Sequence, residues 1–202
     1  MLKRYEEFLK EVDRELNGYF KDQQQYIKCR QGCVDCCTLG EYPFSRLEAE
    51  YLMQGFQGLP KDTRDAIREN IRQIKLQKEN FYNSADGSNK SRQTSGGICD
   101  VGSARFLYKC PFLINNLCSL YSRRGLTCRM FGLAYLREGR IILPECANSG
   151  LNYCEVFDKS TGMVNLQNPV KKNLNITTWL NSDLAEKYAL EAGEIRTLID
   201  WF

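Results

Sequence analysis

Cysteine is abundant in this chain and histidine is absent, which limits both the fold and the chemistry. Of the 202 residues, 10 are cysteine and none is histidine. Seven cysteines form two groups, Cys29-x3-Cys33-x2-Cys36-Cys37 and Cys110-x7-Cys118-x9-Cys128. Thiolates at this density favour a soft metal ion or an iron–sulfur cluster. The lack of histidine excludes mixed cysteine–histidine zinc sites, histidine bases and Cys-His nucleophile pairs.

Composition and charge are those of an ordinary globular protein, predicted as one domain over residues 1–202. The chain is 43% hydrophobic and 26% charged, with a formal net charge of +3. Its basic residues are interleaved with acidic ones, so no surface for nucleic acid or an anionic membrane is indicated. The N-terminal segment lacks the apolar stretch of a signal peptide, and no segment has the roughly 20 apolar residues that span a bilayer. We therefore expect a cytoplasmic protein whose thiols stay reduced.

A disulfide framework is the main alternative for so many cysteines. An even number of cysteines is compatible with a fully bridged secreted domain. The adjacent pair Cys36 and Cys37 argues against this alternative, because neighbouring cysteines bridge each other only with strain. The group from Cys29 to Cys37 is also too local to staple a fold. These features predict metal or cluster binding.

Hydrophobic periodicity predicts helices at both ends of the chain. Apolar residues recur at three–four spacing over residues 2–27 and again over 180–202. The N-terminal stripe is compatible with a coiled-coil seam, but its short length and tyrosine content favour a helix packed on the domain. Ser45 and Glu48 have the spacing of a capping box that opens a helix, and Pro60 begins another.

Short β-hairpins are predicted between the cysteine groups and beyond them. Asn115-Asn116 predicts the turn of one hairpin, with Cys110 and Cys118 on its facing strands. Glu138-Gly139 predicts the turn of a second hairpin. Residues 126–131 are predicted to form one helical turn that carries the last cysteine of the second group.

These elements together predict an α+β fold. Long N- and C-terminal helices would surround a small cysteine-rich metal-binding core, over residues 29–154, that contains the short hairpins. Residues 83–97 are rich in glycine, serine and asparagine, which predicts a flexible loop within the single domain.

Spacing alone leaves open how the cysteines share metal ions. Cys33-x2-Cys36 lets two sulfurs reach one metal from a tight turn, whereas the adjacent Cys37 points elsewhere and would serve a second site or a bridged cluster. With Cys146 or Cys154 as an eighth ligand, the sulfurs suffice for two tetrathiolate sites or two four-iron clusters. Alternatively, four cysteines bind one metal and the others are structural or catalytic. Zinc tetrathiolate sites usually pair two Cys-x2-Cys units, and the single unit here favours an iron–sulfur cluster of the 4Fe-4S type over zinc.

The predicted metal ligands are the seven grouped cysteines and one from the later segment: Cys29, Cys33, Cys36, Cys37, Cys110, Cys118, Cys128 and Cys146. Cys99 stands alone after two glycines, and a lone cysteine is more often a small buried hydrophobe than a ligand. No residues outside this motif form a recognisable catalytic group, and the catalytic residues are left unassigned. A glycine-rich nucleotide loop is also missing.

The segments RQGCVDCC and CPFLINNLCSLYSRRGLTCRMF resemble the CxxCxxCC cysteine-cluster family, also called YkgJ-type and described as zinc- or iron-chelating. The matching positions run in order through about half the chain: Cys29, Cys33, Cys36, Cys37, Cys110, Pro111, Cys118, Tyr121, Arg124, Cys128 and Arg129. The family usually has proline where this chain has Gly125, and a glycine where it has Val34-Asp35. It includes proteins similar to flagellin lysine methylases.

The resemblance implies a role for two arginines beside the cofactor. Arg124 and Arg129 would neutralise excess negative charge on a thiolate site or contact an anionic substrate. The alternative is an ordinary salt bridge for each arginine.

Three functions are compatible with this sequence. The first is an iron–sulfur protein in redox chemistry or protein modification, and the second is a zinc protein that scaffolds a protein partner. The third is a thiol enzyme that uses Cys36 and Cys37 as a redox pair. A protein partner or protein substrate is left open, and neither nucleic acid nor a membrane is expected.

Overall fold

Helices and very short strands make up this protein, whose computed structural model describes residues 1–30, 32–83, 106–171 and 179–202. The α-helices of these ranges are α1 (Leu2–Asp22), α2 (Arg46–Gln57), α3 (Lys61–Asn83), α4 (Leu126–Met130) and α5 (Asp183–Lys187). The strands are β1 (Pro43–Ser45), β2 (Leu113–Ile114), β3 (Leu117–Cys118), β4 (Tyr135–Arg137), β5 (Arg140–Ile142), β6 (Phe157–Asp158), β7 (Met163–Val164) and β8 (Ile195–Thr197). The mixture confirms the α+β prediction. Apart from Asn83, the predicted loop over 83–97 lies outside the described residues, as does Cys99.

The N-terminal helix α1 packs on the core through one apolar stripe, as its periodicity predicts. Its buried residues recur three or four positions apart: Tyr5, Phe8, Leu9, Val12 and Leu16. The helix ends at Asp22, and a 3-10 turn at Gln24–Tyr26 follows it instead of the helical continuation to residue 27. No helix within the described ranges combines the length and the hydropathy that crossing a bilayer would require.

The predicted capping box at the start of α2 is confirmed. The Ser45 hydroxyl accepts a hydrogen bond from the Glu48 N–H at 3.2 Å, and the Glu48 carboxylate accepts one from the Ser45 N–H at 2.9 Å. Strand β1, which leads into this cap, pairs antiparallel with β8 near the C-terminus, with Pro43 opposite Thr197. The cap of α2 therefore lies at the edge of a two-stranded sheet that joins distant parts of the chain.

The predicted C-terminal helix over 180–202 is wrong. Helix α5 ends at Lys187, and the backbone turns left-handed at Ala189 (φ 47°) and Gly193 (φ 71°), which a continuous helix cannot accommodate. Strand β8 and a 3-10 turn at Leu198–Trp201 complete the chain. Among the apolar residues that imitate a helical stripe, Ile199 is buried by the last turn, whereas Ile195 on β8 is 41% exposed.

Both predicted hairpins form at the predicted turns. Asn115 and Asn116 have φ of 51° and 59°, as a two-residue turn with two left-handed positions requires, and they connect β2 to β3. Glu138 and Gly139 connect β4 to β5 in the same way.

The prediction that Cys110 lies on a strand of the first hairpin, facing the strand of Cys118, is wrong. Cys118 lies opposite Leu113, and Cys110 precedes strand β2. Pro111 explains the difference, since proline has no N–H for a ladder hydrogen bond and the strand can begin only after it. Cys110 instead donates its N–H to the carbonyl of Cys37 at 2.7 Å.

Helix α2 lies between two hydrophobic clusters and contributes to both. Leu47 and Tyr51 belong to the first cluster, with α1 and α4, while Leu52 and Phe56 belong to the second, with α3 and the last turn of the chain. Three of the predicted ligands pack against the second cluster: Cys110, Cys118 and Cys128. A third, smaller cluster surrounds Tyr153. The cysteine sites lie beside the second and third clusters.

Candidate metal centre

Four of the predicted ligands lie close together: Cys110, Cys118 and Cys128 pack on the second hydrophobic cluster, and Cys37 is joined to Cys110 by a backbone hydrogen bond. This inner group consists of Cys37, Cys110, Cys118 and Cys128. Burial, with smaller contributions from the neighbouring thiolates of Cys37 and Cys118, raises the pKa of the Cys128 thiol to about 12. Burial likewise raises the pKa of Cys110 well above its usual value, with Cys128 as its strongest charged neighbour. Cys110, Cys118 and Cys128 are therefore each close enough to another thiol of the inner group for its charge to oppose their ionisation.

Helix α4 positions Cys128, and its start is fixed by a buried carboxylate. Glu48 accepts the N–H of Leu126 at 2.8 Å, which satisfies one of the free donors in the first turn of α4. Gly125 precedes that turn, and a Cβ added there would lie 2.7 Å from Glu48 Oε1 and 2.7 Å from Phe44 Cε1. The glycine at position 125 therefore has a steric reason, because it lets α4 approach α2 closely.

The two predicted cofactor-binding arginines lie in different surroundings. The Arg129 side chain is 8% exposed, forms an ion pair with Asp13 and donates to the carbonyls of Arg124 (2.9 Å) and Ser122 (3.2 Å). Its hydrogen bonds thus hold the turn before α4. The Arg124 guanidinium stacks on the ring of Tyr121, 3.6 Å from its centre.

Arg124 also acts on the inner group electrostatically. The Cys36 thiol lowers the pKa of Cys37 to about 7 by hydrogen bonding, and the positive charge of Arg124 contributes in the same direction. Arg124 lowers the pKa of Cys118 as well, although burial dominates there and the net change is a rise. Of the two arginines, Arg124 is the one whose side chain is free of buried structural hydrogen bonds and faces these thiols.

Three other predicted ligands gather on a different surface. This outer group consists of Cys29, Cys33 and Cys146, of which Cys29 and Cys33 are exposed. Cys146 lies in a 3-10 turn, Glu145–Ala147, that packs against the turn Asp35–Thr38. Burial raises the pKa of Cys146 to about 11, and the Cys29 thiolate is its strongest charged neighbour.

Cys36 lies between the two groups. Its sulfur is 3.8 Å from that of Cys37, and it donates its S–H to the Cys37 thiolate. That hydrogen bond is the main reason for the raised pKa of Cys36. Burial, Cys128 and Cys29 raise it further. The adjacent pair Cys36-Cys37 thus connects the inner group to the outer group.

Two residues beside the outer group give no sequence signal. The buried amide of Asn152 donates to the Cys29 sulfur at 3.3 Å and to the Gly132 carbonyl at 3.1 Å. Lys28 contacts the Cys154 sulfur at 3.0 Å and Glu155 at 2.8 Å. Both arrangements join residues more than a hundred positions apart, so no local pattern could have indicated them.

The donor chemistry of these groups fits a soft metal, although the thiols are not in ligating positions. Every described cysteine is free. Across the described parts of the chain, no three or more cysteine, aspartate or glutamate side chains are arranged to hold a metal ion. Thiolates that raise one another's pKa need a nearby positive charge if they are to ionise together, and a metal ion provides that charge.

Comparisons with known proteins found no relative of this chain. No protein-family model matches the chain, no curated protein matches it, and no solved structure matches it. The resemblance to the cysteine-cluster family therefore rests on the motif residues alone and stays a prediction.

Proposed function

We propose that this protein binds a metal centre through cysteine thiolates, and that the centre is an iron–sulfur cluster of the 4Fe-4S type held by the inner group. The observation that supports the proposal best is that Cys110, Cys118 and Cys128 pack on one hydrophobic cluster and that a backbone hydrogen bond joins Cys37 to Cys110. Sulfurs from separate segments can surround a centre, and four thiolates are the usual ligand set of such a cluster.

The surroundings of the inner group suit this role. When bound, a cluster of this kind accepts and releases single electrons. The rings of Tyr42 and Phe131 meet edge to face at 6.0 Å and belong to the same hydrophobic cluster as Cys110, Cys118 and Cys128. The Tyr42 hydroxyl donates to the Cys36 carbonyl at 2.6 Å and accepts the N–H of Leu39 at 2.9 Å, so it fixes the turn that presents Cys37. Arg124 supplies positive charge.

Redox chemistry or modification of a protein substrate is the function that we propose for such a centre. Zinc is the alternative metal, since four thiolates are also a common structural zinc site. Leu117 and Tyr121 flank Cys118 and are 49% and 64% exposed, which favours a protein partner for a zinc-stabilised surface. The two functions differ in metal identity and in redox response.

Metal and sulfide analysis of the protein purified without oxygen tests the proposal. Iron with acid-labile sulfide and visible absorption, lost in Cys110→Ser and Cys118→Ser but kept in Cys99→Ser, would support a cluster on the inner group. Stoichiometric zinc with the same dependence on Cys110 and Cys118 would select the alternative. A wild-type protein that binds neither metal, even after reconstitution under reducing conditions, would refute both.

A further inference from the structure

We infer that the cysteines serve two separate metal centres, and that the outer group forms the second one. Its ligands would be the thiolates of Cys29, Cys33 and Cys146, with Cys36 as the fourth. This inference rests on the proposed function, because it divides among two centres the thiolates that the proposal assigns to metal binding. The metal at the outer centre would be a soft divalent cation such as zinc, which takes four thiolates from surface turns.

The inner and outer groups differ in how far their cysteines are exposed. Cys110, Cys118 and Cys128 pack against the second hydrophobic cluster, whereas Cys29 and Cys33 are exposed. The nearest charged neighbours of Cys146 are Cys29, Cys33 and Asp35, and none belongs to the inner group. A single centre would have to draw ligands both from the partly buried thiols on the hydrophobic cluster and from the exposed thiols of Cys29 and Cys33.

The backbone at Gly132 passes close to the Cys29 sulfur. Gly132 has φ of 96°, and a Cβ at this position would lie 3.2 Å from Cys29 Sγ and 3.3 Å from Asn152 Nδ2. The left-handed backbone and the close approach both require glycine here. The chain thus leaves room beside this particular thiol, which an ordinary exposed cysteine would not need.

The buried amide of Asn152 also supports a centre at the outer group, because it contacts the Cys29 sulfur. Asn152 is 1% exposed, its oxygen accepts the Lys28 N–H at 2.8 Å, and its NH2 donates to the Cys29 sulfur and to the Gly132 carbonyl. An N–H group aimed at sulfur stabilises a thiolate and orients it, which is how outer hydrogen bonds support metal ligands. Asn152 would therefore act as a positioning residue for Cys29.

The turn Asp35–Thr38 carries Cys36, the fourth ligand that we assign to the outer centre. This turn packs against the turn that carries Cys146, and Cys36 is within electrostatic reach of Cys29 as well as, more strongly, of Cys37 and Cys128, so it borders both groups. Cys37, the next residue, is joined to the inner group through the hydrogen bond between its carbonyl and the Cys110 N–H. Neighbouring cysteines in this arrangement would each complete a different centre. Asp35 adds negative charge beside Cys29 and Cys146, which further favours a cation.

Titration of the reduced, metal-free, full-length chain with Cd²⁺, followed by ¹¹³Cd NMR, tests this division. We expect two Cd²⁺ per wild-type chain and two resonances. Cys146→Ser and Cys33→Ser should each abolish one resonance, Cys118→Ser should abolish the other, and Cys154→Ser should keep both. Asn152→Leu should weaken only the outer Cd²⁺, by about 10- to 100-fold. Circular dichroism of each variant with the remaining Cd²⁺ bound reports whether it is folded.

The outcomes separate this inference from the proposed function. Loss of all Cd²⁺ binding in both Cys146→Ser and Cys118→Ser would mean one shared centre, and would overturn the inference alone. A wild-type chain with one Cd²⁺ that Cys33→Ser and Cys146→Ser both leave in place would also overturn it. A wild-type chain that binds no Cd²⁺ would instead refute the proposed metal binding itself. Cys33 is exposed, so its replacement provides a test that does not depend on a buried site.

Discussion

Glu48 and Leu126 are 78 positions apart in the sequence, and yet the Glu48 carboxylate accepts the Leu126 N–H at 2.8 Å. The same carboxylate completes the capping box of α2 through Ser45. One buried side chain thus begins two helices, α2 and the short helix that carries Cys128. The position of an inner-group thiol therefore depends on a residue that is not itself a ligand.

Glu48 should make stability depend on pH. Burial is the main reason that its pKa is raised from 4.5 to about 7, against the opposing effect of its hydrogen bonds. The folded protein therefore holds this proton more tightly than the unfolded chain does. The resulting stabilisation, on the order of 3 kcal/mol, is fully present below about pH 4.5 and is lost as the pH rises through 7. Glu48→Gln, which is neutral at every pH, should remove this slope.

Urea unfolding of the reduced, metal-free protein at several pH values between about 4.5 and 7 measures the effect. Glu50→Gln is the matched control, because Glu50 lies on the same helix but is exposed and pairs with Arg46. We expect this control to keep the wild-type slope. An equal slope in wild type and Glu48→Gln would contradict the account of Glu48.

Replacement of Gly125 by alanine should destabilise the fold through a steric clash. The new Cβ would lie 2.7 Å from both Glu48 and Phe44, so α4 would have to move away from α2. We expect a loss of about 1–3 kcal/mol in the free energy of unfolding, as for overpacking of a core. Weaker metal binding by the inner group should accompany this loss because α4 carries Cys128.

Gly18→Ala provides the control for that substitution. Gly18 lies inside α1, and a Cβ there would meet no atom within 4 Å. Alanine should therefore stabilise the helix by up to about 1 kcal/mol. Thermal or urea unfolding of the two variants should give changes of opposite sign, and a neutral Gly125→Ala would show that α4 has more room than the structure indicates.

Local chemistry explains why the hairpins and the α2 cap could be predicted from the sequence. Asn115-Asn116 and Glu138-Gly139 determine their turns within two residues, and Ser45 finds its capping partner three residues away. The C-terminal helix could not be excluded in this way, because its alternative is the pairing of β8 with a strand about 150 residues earlier. Sequence periodicity carries no information about such a partner.

The same difference between local signals and long-range contacts applies to the candidate site. The cysteines and their spacing were visible in the sequence, but their assignment to inner and outer groups depends on contacts between distant turns. Pro111 was available as a signal that Cys110 lies outside a strand, and the hairpin prediction did not use it. Asn152 had no signal, since its partners Cys29 and Gly132 are respectively 123 and 20 residues away.

Substitution of the two arginines should separate structural support from an effect on the metal. Arg129→Met removes a partly buried ion pair with Asp13 and two hydrogen bonds to carbonyls, and should cost about 2–4 kcal/mol of stability. Arg124→Met should change stability by less than about 1 kcal/mol, since only an exposed stacking contact with the Tyr121 ring and an exposed hydrogen bond to the Tyr121 carbonyl are lost. It should instead weaken binding of metal to the inner group by removing a positive charge.

Unfolding free energies and Cd²⁺ affinities of the two arginine variants check this distinction. Arg123→Met is a suitable comparison, because Arg123 stacks on Tyr51 and hydrogen-bonds to Gln54, away from the thiols. It should leave the Cd²⁺ affinity unchanged. The reverse pattern, with Arg124→Met unstable and Arg129→Met altered only in metal affinity, would assign the roles the other way round.

Cys37 should be the most reactive thiol of the inner group when metal is absent. The Cys36 thiol lowers the pKa of Cys37 to about 7, whereas burial raises the pKa of Cys110 and Cys118. At pH 7 about half of Cys37 is therefore thiolate, and its alkylation by iodoacetamide should be roughly tenfold faster than that of Cys118. Cys36→Ala removes the S–H donor, so the pKa of Cys37 should rise and its alkylation midpoint should move to higher pH.

Mass spectrometry of peptides alkylated over a range of pH measures this midpoint at each cysteine. Bound metal should suppress alkylation of Cys37, because a ligated thiolate no longer reacts as a free nucleophile. Equal rates at Cys37 and Cys118 in the metal-free protein, or no effect of Cys36→Ala, would contradict the proposed coupling of the pair. Rapid alkylation of Cys37 that persists with metal bound would instead favour a thiol enzyme built on Cys36 and Cys37, because the reactive thiolate would then be independent of the metal.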